Sequence, residues 1–180
     1  MFDRVPVTNE DVWRATFDQW KSDALAIGEE GVFLSADIEQ QLNGLKVKKA
    51  CDKDIYCYFL VKKGNMFASS LLEVAHAMPN SSNPWLKLLD ITLQPSLLPL
   101  EGKTTEALKE TFLVLGQSIV HVIGLTFDEH PSTKLKIYGR TAEMRNLFAA
   151  IISTGILDSA LEALHLSAAL EGNWLVLTKI

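Results

Sequence analysis

The stretch Trp85-Leu86-Lys87-Leu88-Leu89-Asp90-Ile91-Thr92-Leu93-Gln94 constrains this chain most. Apolar side chains fall on both of its faces, and Pro95 and Pro99 break it. A strand that is apolar on both faces belongs in the middle of a sheet with cover on each side. The run from Phe112 to Phe127, which holds no Asp, Glu, Lys or Arg, can supply cover. With Thr104 as its cap, the pattern predicts a helix over 105–127. The charge-free run is shorter than the ~20 residues a bilayer span needs. It also contains Gln117, Ser118 and His121. It reads as a helix buried on more than one face, and no membrane partner is expected.

Around this centre the hydrophobic period changes along the chain. Residues 2–7 read as a short strand. Thr8 precedes Asn9-Glu10-Asp11, an N-cap with acid in the first turn. Val12, Ala15, Phe17, Trp20 and Ala24 follow at helical spacing, and Gly28 offers a stop. Ser35 caps a second helix with Ile38, Leu42 and Leu45 inward and Gly44 near its end. Period two sets in over 54–62, where Ile55, Cys57, Phe59 and Val61 alternate with Tyr56, Tyr58 and Leu60. Lys63-Gly64-Asn65 turns the chain into a second run over 66–76, a hairpin. Residues 77–84 form a loop. Residues 134–140 alternate again, Thr141 caps a helix over 142–153 that ends near Gly155, and 163–170 with 173–179 form a closing hairpin through Glu171-Gly172. The order is β-α-α-β-β-β-α-β-α-β-β. It predicts an α/β (α+β) class: a single mixed, mostly antiparallel sheet flanked by helices.

The chain has 180 residues, is 48% hydrophobic and carries a net charge of −5. That suits one folded domain over 1–180, with no disulfide or metal staple required. The acidic balance argues against a general nucleic-acid footprint, so no nucleic-acid partner is expected, although a local basic patch is compatible with it. Cys51 and Cys57 form no Cys-x-x-Cys unit and read as reduced thiols, and no signal peptide is legible, which points to a cytoplasmic protein.

No Gly-x-Ser-x-Gly, Walker A or Gly-x-Gly-x-x-Gly pattern occurs. His76, His121, His130 and His165 show no ligand spacing, so no metal is expected. His121 reads as a satisfied core histidine and His130 as a solvated loop residue. Cys57 reads as packing within its strand. Lys46, Lys48 and Lys49 form a small basic patch. Trp13 and Trp20 lie seven apart on one helix face, for core packing or the contact of a homodimer.

Three places resemble the GNAT superfamily of acyl-CoA-dependent N-acyltransferases. Trp85 to Pro95 is similar to its central strand entering the cofactor loop. Thr104 to Phe127 is similar to the long helix that follows. Lys134-Leu135-Lys136-Ile137-Tyr138-Gly139-Arg140, with Leu147-Phe148 and Thr154-Gly155-Ile156, is similar to its next strand and helix. The resemblance covers nearly the whole chain and is one of element order. It implies a GNAT-like fold and acetyl-CoA or another acyl-CoA as cofactor. Strand groups of Ile91, Thr92, Leu93 and Gln94 would bind the pantetheine arm. Gly102, Lys103, Thr104 and Thr105 would meet the pyrophosphate at the helix start, a natural anion site. The family's Gly-rich loop is here Pro95-Ser96-Leu97-Leu98-Pro99-Leu100-Glu101-Gly102-Lys103, with one glycine, two prolines and an acid.

The resemblance further implies transfer to a small-molecule or protein amine, which needs a base. Asp90 and Glu73, each within an apolar strand, are the candidates, and Asp90 ranks first because the central strand borders the cleft. Phe148 stands where many members have a tyrosine that protonates the leaving thiolate, so Tyr138 is the substitute hydroxyl. Phe148 and the missing glycines also suit an alternative reading, the same scaffold as a non-catalytic binding or regulatory module.

Overall fold

The computed structural model describes residues 1–27, 35–40, 42–44, 54–98, 104–140, 142–155 and 158–180. The elements run β1 (Phe2–Pro6), α1 (Glu10–Leu25), β2 (Ile55–Lys62), β3 (Ala68–Ala77), β4 (Trp85–Leu93), α2 (Thr105–Leu125), β5 (Lys134–Tyr138), α3 (Ala142–Thr154), α4 (Asp158–Ala163), β6 (Leu166–Glu171) and β7 (Trp174–Lys179). Residues 35–40 and 42–44 are helical, and Pro95–Leu97 form a 3-10 turn. The strands make one mixed sheet in the order β1-β2-β3-β4-β5-β7-β6, with β4 in the middle as expected. Only Leu86 and Leu88 of β4 are buried, however, so its two-sided apolar pattern is fully covered on one face alone. The succession of central strand, long helix and parallel strand follows the element order that the resemblance implies. The expected order lacked α4: six residues are too few to show a helical period. Gly28, Leu45, Thr141 and Ile156, given roles above, lie outside the described residues.

Contacts divide the described chain into two compact units. Met1–Glu73 and Asp90–His121 form the first; Val74–Leu89 and Val122–Ile180 form the second. In the first unit, Asn9 accepts the Val12 N–H at 3.1 Å and starts α1, whose first turn holds Glu10 and Asp11. Trp20 is fully buried and its indole N–H donates to the Ala68 carbonyl at 2.7 Å. Thr16 Oγ1 accepts the Ala68 N–H at 2.9 Å, so α1 satisfies both backbone groups where β3 begins. Val7, Trp20, Ala24, Ile38, Leu42, Cys57, Phe59 and Val61 form one core layer. Phe2, Leu60, Leu97 and Val114 form another. Cys57 is a core residue, 1% exposed. The residues of the two layers alternate along β2, which is therefore buried on both faces.

In the second unit, β4 pairs in parallel with β5 from Trp85↔Lys134 to Leu88↔Ile137. β5 and β6 pair antiparallel with β7. Leu86, Leu88, Leu135, Ile137, Leu175 and Leu177 are buried. By the registers they share one face of this part of the sheet.

The α2 helix corrects one expectation. Thr111, Val114, Ser118, Val122 and Leu125 are buried, while Phe112, Leu113 and Val120 are 61%, 51% and 57% exposed. Burial follows one helical stripe rather than several faces. Apolar composition measures how much a helix could bury; its neighbours decide which stripe is covered. The helix, at 21 residues, is also long and apolar enough to cross a membrane. Hydroxyls lie on its buried stripe: Thr111 donates to the carbonyl of Ala107 at 3.0 Å, and Ser118 to that of Val114 at 2.8 Å.

Candidate functional site

The parallel ladder of β4 with β5 runs to Leu88, but β4 itself continues to Leu93. Burial alternates up to Leu88 and is then intermediate from Leu89 through Leu93. Asp90 sits in this stretch, and the Thr92 hydroxyl donates to its Oδ2 at 3.2 Å. Residues 90 and 92 share a face, and the hydroxyl fixes the carboxylate's rotation. Leu93 packs against the layer of Phe2, Leu60, Leu97 and Val114. Ile91 is half-buried.

Gln94 is held at both ends. Its backbone N–H donates to the Ser69 carbonyl at 2.9 Å, and its side-chain amide donates to Asp23 Oδ2 at 2.7 Å. Gln19, one helical turn before Asp23, donates to Oδ1 at 2.7 Å. The end of β4 is thus tied to α1 by a carboxylate that sequence reading missed. The i, i+4 spacing of Gln19 and Asp23 is a visible signal, but the partner at Gln94 is not.

At the start of α2, Thr104 acts as the cap. Its hydroxyl accepts the Ala107 N–H at 3.3 Å and its carbonyl accepts the Leu108 N–H at 3.0 Å. Thr104, Thr105 and Glu106 are exposed, and Glu106 pairs with Lys109 at 3.3 Å. Gly102 and Lys103 lie outside the described residues, as do Pro99, Leu100, Glu101, Lys46, Lys48, Lys49 and Cys51. Glu73 is half-buried on β3. Of the candidates in the described chain, Tyr138 alone falls in the second unit. It is 37% exposed, with its ring 4.8 Å from that of Trp174.

A cavity of about 200 Å³ also opens in the first unit, lined in part by Lys62, Phe67, Ser69, Gln94, Glu110 and Val114. Lys62 and Glu110 form a 2.8 Å ion pair. Among the described residues, Gln94 is the one candidate on its wall.

The histidines depart from expectation at two places: His121, read as a core residue, is only half-buried, and His130 is 5% exposed rather than solvated. The His130 N–H donates to the Leu125 carbonyl at 2.8 Å, its own carbonyl accepts the Ser132 hydroxyl at 2.8 Å, and its ring lies 5.3 Å from that of buried His76. The tight turn after α2 folds it inward, which the neighbouring Pro131 does not reveal. Burial lowers the pKa of His121, and Arg4 lowers it further. Arg4 donates to the His121 carbonyl at 3.0 Å. Phe148 is buried, and a Cβ placed on Gly139 would lie 3.2 Å from its ring. Among the described residues, no three His, Cys, Asp or Glu side chains converge as a metal site.

No family profile matches the chain, and no curated protein matches it. Solved structures do. An acetyltransferase from Thermus thermophilus is 17% identical, with a TM-score of 0.43, covering 98% of this chain and 96% of its own. AtaTR bound with AcCoA is 12% identical, with a TM-score of 0.46 and coverages of 97% and 91%. The Campylobacter jejuni N-acetyltransferase PseH is 10% identical, with a TM-score of 0.44 and coverages of 98% and 95%.

Proposed function

We propose that this chain binds acetyl-CoA or another acyl-CoA and transfers the acyl group to an amine. The observation that carries the reading is β4: it outruns its ladder with β5, stays half-buried from Leu89 to Leu93, and leads to a capped 21-residue helix. Backbone groups of Ile91, Thr92 and Leu93 would hold the pantetheine arm. Thr104 and Thr105, exposed at the positive end of the α2 dipole, would meet the phosphates, with Gly102 and Lys103 as the sequence candidates beside them. Bound acyl-CoA supplies an activated thioester carbonyl. Gln94 acts as a positioning residue, since its amide is committed to Asp23. Asp90 is the base: with Oδ2 engaged by Thr92, its Oδ1 takes the proton of the incoming amine. Glu73 is the second candidate base; Tyr138, in the second unit, remains the sequence candidate for the hydroxyl that would protonate the departing group. The compartment is cytoplasmic.

A second reading drops the chemistry: the same scaffold serves as a binding or regulatory module whose cleft or dimer surface takes another ligand or a protein partner. Burial of Phe148 favours it, because no hydroxyl stands at that place.

Calorimetric titration with acetyl-CoA and desulfo-CoA tests both, followed by thiol release against a panel of primary amines. Saturable binding with turnover is expected, and Asp90→Asn should lower kcat by about 10²–10⁴-fold with binding retained. Binding without turnover selects the second reading. No binding at millimolar ligand overturns the acyl-transfer reading.

A further inference from the structure

The sheet of the second unit carries a pattern of which the proposed acyl transfer draws only on Tyr138. The parallel register sets Trp85 beside Lys134 and Lys87 beside Lys136. The antiparallel register sets Tyr138 beside Trp174. Paired residues and residues two apart share a face, so these six side chains line one face. None of these six is fully buried, whereas Val176, opposite Lys136 on the same face, lies buried beneath them. The Lys136 Nζ lies 4.3 Å and the Lys87 Nζ 5.6 Å from the Trp85 ring centroid, both within cation–π range.

Lys136 also donates to Glu171 at 3.0 Å; its side chain is 14% exposed and that of Glu171 47%. Glu171 is the one carboxylate paired to this set among the described residues. The Trp85 indole N–H is shielded from solvent and has no hydrogen-bond partner among the described residues. Three lysines on neighbouring positions of adjacent strands repel one another. Such crowding suits an anionic ligand, and flat rings between the cations suit one that also offers flat rings.

We infer that this face binds a single-stranded polynucleotide. Lys87, Lys134 and Lys136 take phosphates, bases stack on the Tyr138–Trp174 pair, and a phosphate replaces Glu171 at Lys136. Stacking on a sheet needs bases that are splayed out, which selects a single strand over a duplex. An acidic peptide would satisfy the lysines and leave the rings unused. The chain's net charge of −5 keeps this attraction local and sensitive to salt.

Fluorescence anisotropy of labelled 12-mer oligo-U and oligo-dT tests the inference on the full chain. A duplex 12-mer and polyglutamate serve as competitors, and circular dichroism checks that each variant folds. Saturable binding is expected, with a log–log salt slope near about −2 for three phosphate contacts. Lys87→Glu with Lys134→Glu should weaken binding at least about tenfold, and Trp174→Ala about five- to hundredfold with the slope unchanged. Glu171→Gln should tighten binding by removing the competing carboxylate, a gain that a misfolded variant cannot produce. The inference fails if neither oligonucleotide binds, or if the lysine variants leave affinity unchanged. It fails equally if a duplex competes as well as a single strand, or if polyglutamate displaces the probe while Trp174→Ala has no effect.

Discussion

β2 of the first unit and β5 of the second are both short alternating strands, yet they are covered differently. Along β2, Cys57 through Val61 are all buried, with aromatic and aliphatic residues on each face. Along β5, only Leu135 and Ile137 are buried, and Lys134, Lys136 and Tyr138 remain within reach of solvent. A strand covered on both faces can only be scaffold. A strand covered on one face keeps side chains available for a ligand. The contrast separates the first unit's packed hairpin from the second unit's basic, aromatic face, and it can be tested by mutation.

The largest effect should come from the scaffold. Trp20→Ala removes a fully buried ring and its hydrogen bond to Ala68. It should cost about 3–5 kcal/mol in urea or thermal unfolding. Trp85→Ala, on the half-covered face, should cost clearly less. Equal losses would break the contrast.

Gly139→Ala should fall below Trp20→Ala. The new methyl would lie 2.8 Å from Arg145 Cγ, 3.1 Å from the Asn173 carbonyl and 3.2 Å from Phe148. Overpacking of this kind costs about 1–3 kcal/mol. No change in unfolding free energy would show that the end of β5 is looser than its contacts imply.

The smallest effect is a pH dependence in the first unit. His121 has a folded pKa below its ordinary value, through burial and then Arg4. As pH falls through about 6.5 the unfolded chain takes up that proton first. His121 therefore contributes stability above that pH and loses it as pH drops towards the folded value. His121→Gln should flatten this part of the unfolding profile, and identical profiles would remove His121 as the cause.

Much of the fold was legible because it depends on local pattern. The alternation at 54–62, the turn at Gly64 and the two-sided strand at 85–93 each follow from side-chain order and backbone freedom. Gly64 and Gly172, at φ of 95° and 62°, occupy the left-handed region that such turns need. The site was legible only in part. Asp90 and Thr104 could be picked out along the chain, but the clasp of Gln94 by Asp23 joins residues 71 apart in sequence. His130 was misread for the same reason, since its burial comes from the turn that carries it.

The sequence by itself determined which segments are strands and helices, the short α4 excepted, that β4 lies at the centre, and where the acids and caps fall along the chain. These follow from periodicity and turn chemistry, which act over a few residues. Tertiary structure alone decided which stripe of α2 is buried, that Gln94 is a clamp, and that Trp85, Lys87, Lys134 and Lys136 meet on one face. Strand register and helix placement set those contacts. They arise between segments far apart in the chain, where no local pattern reaches.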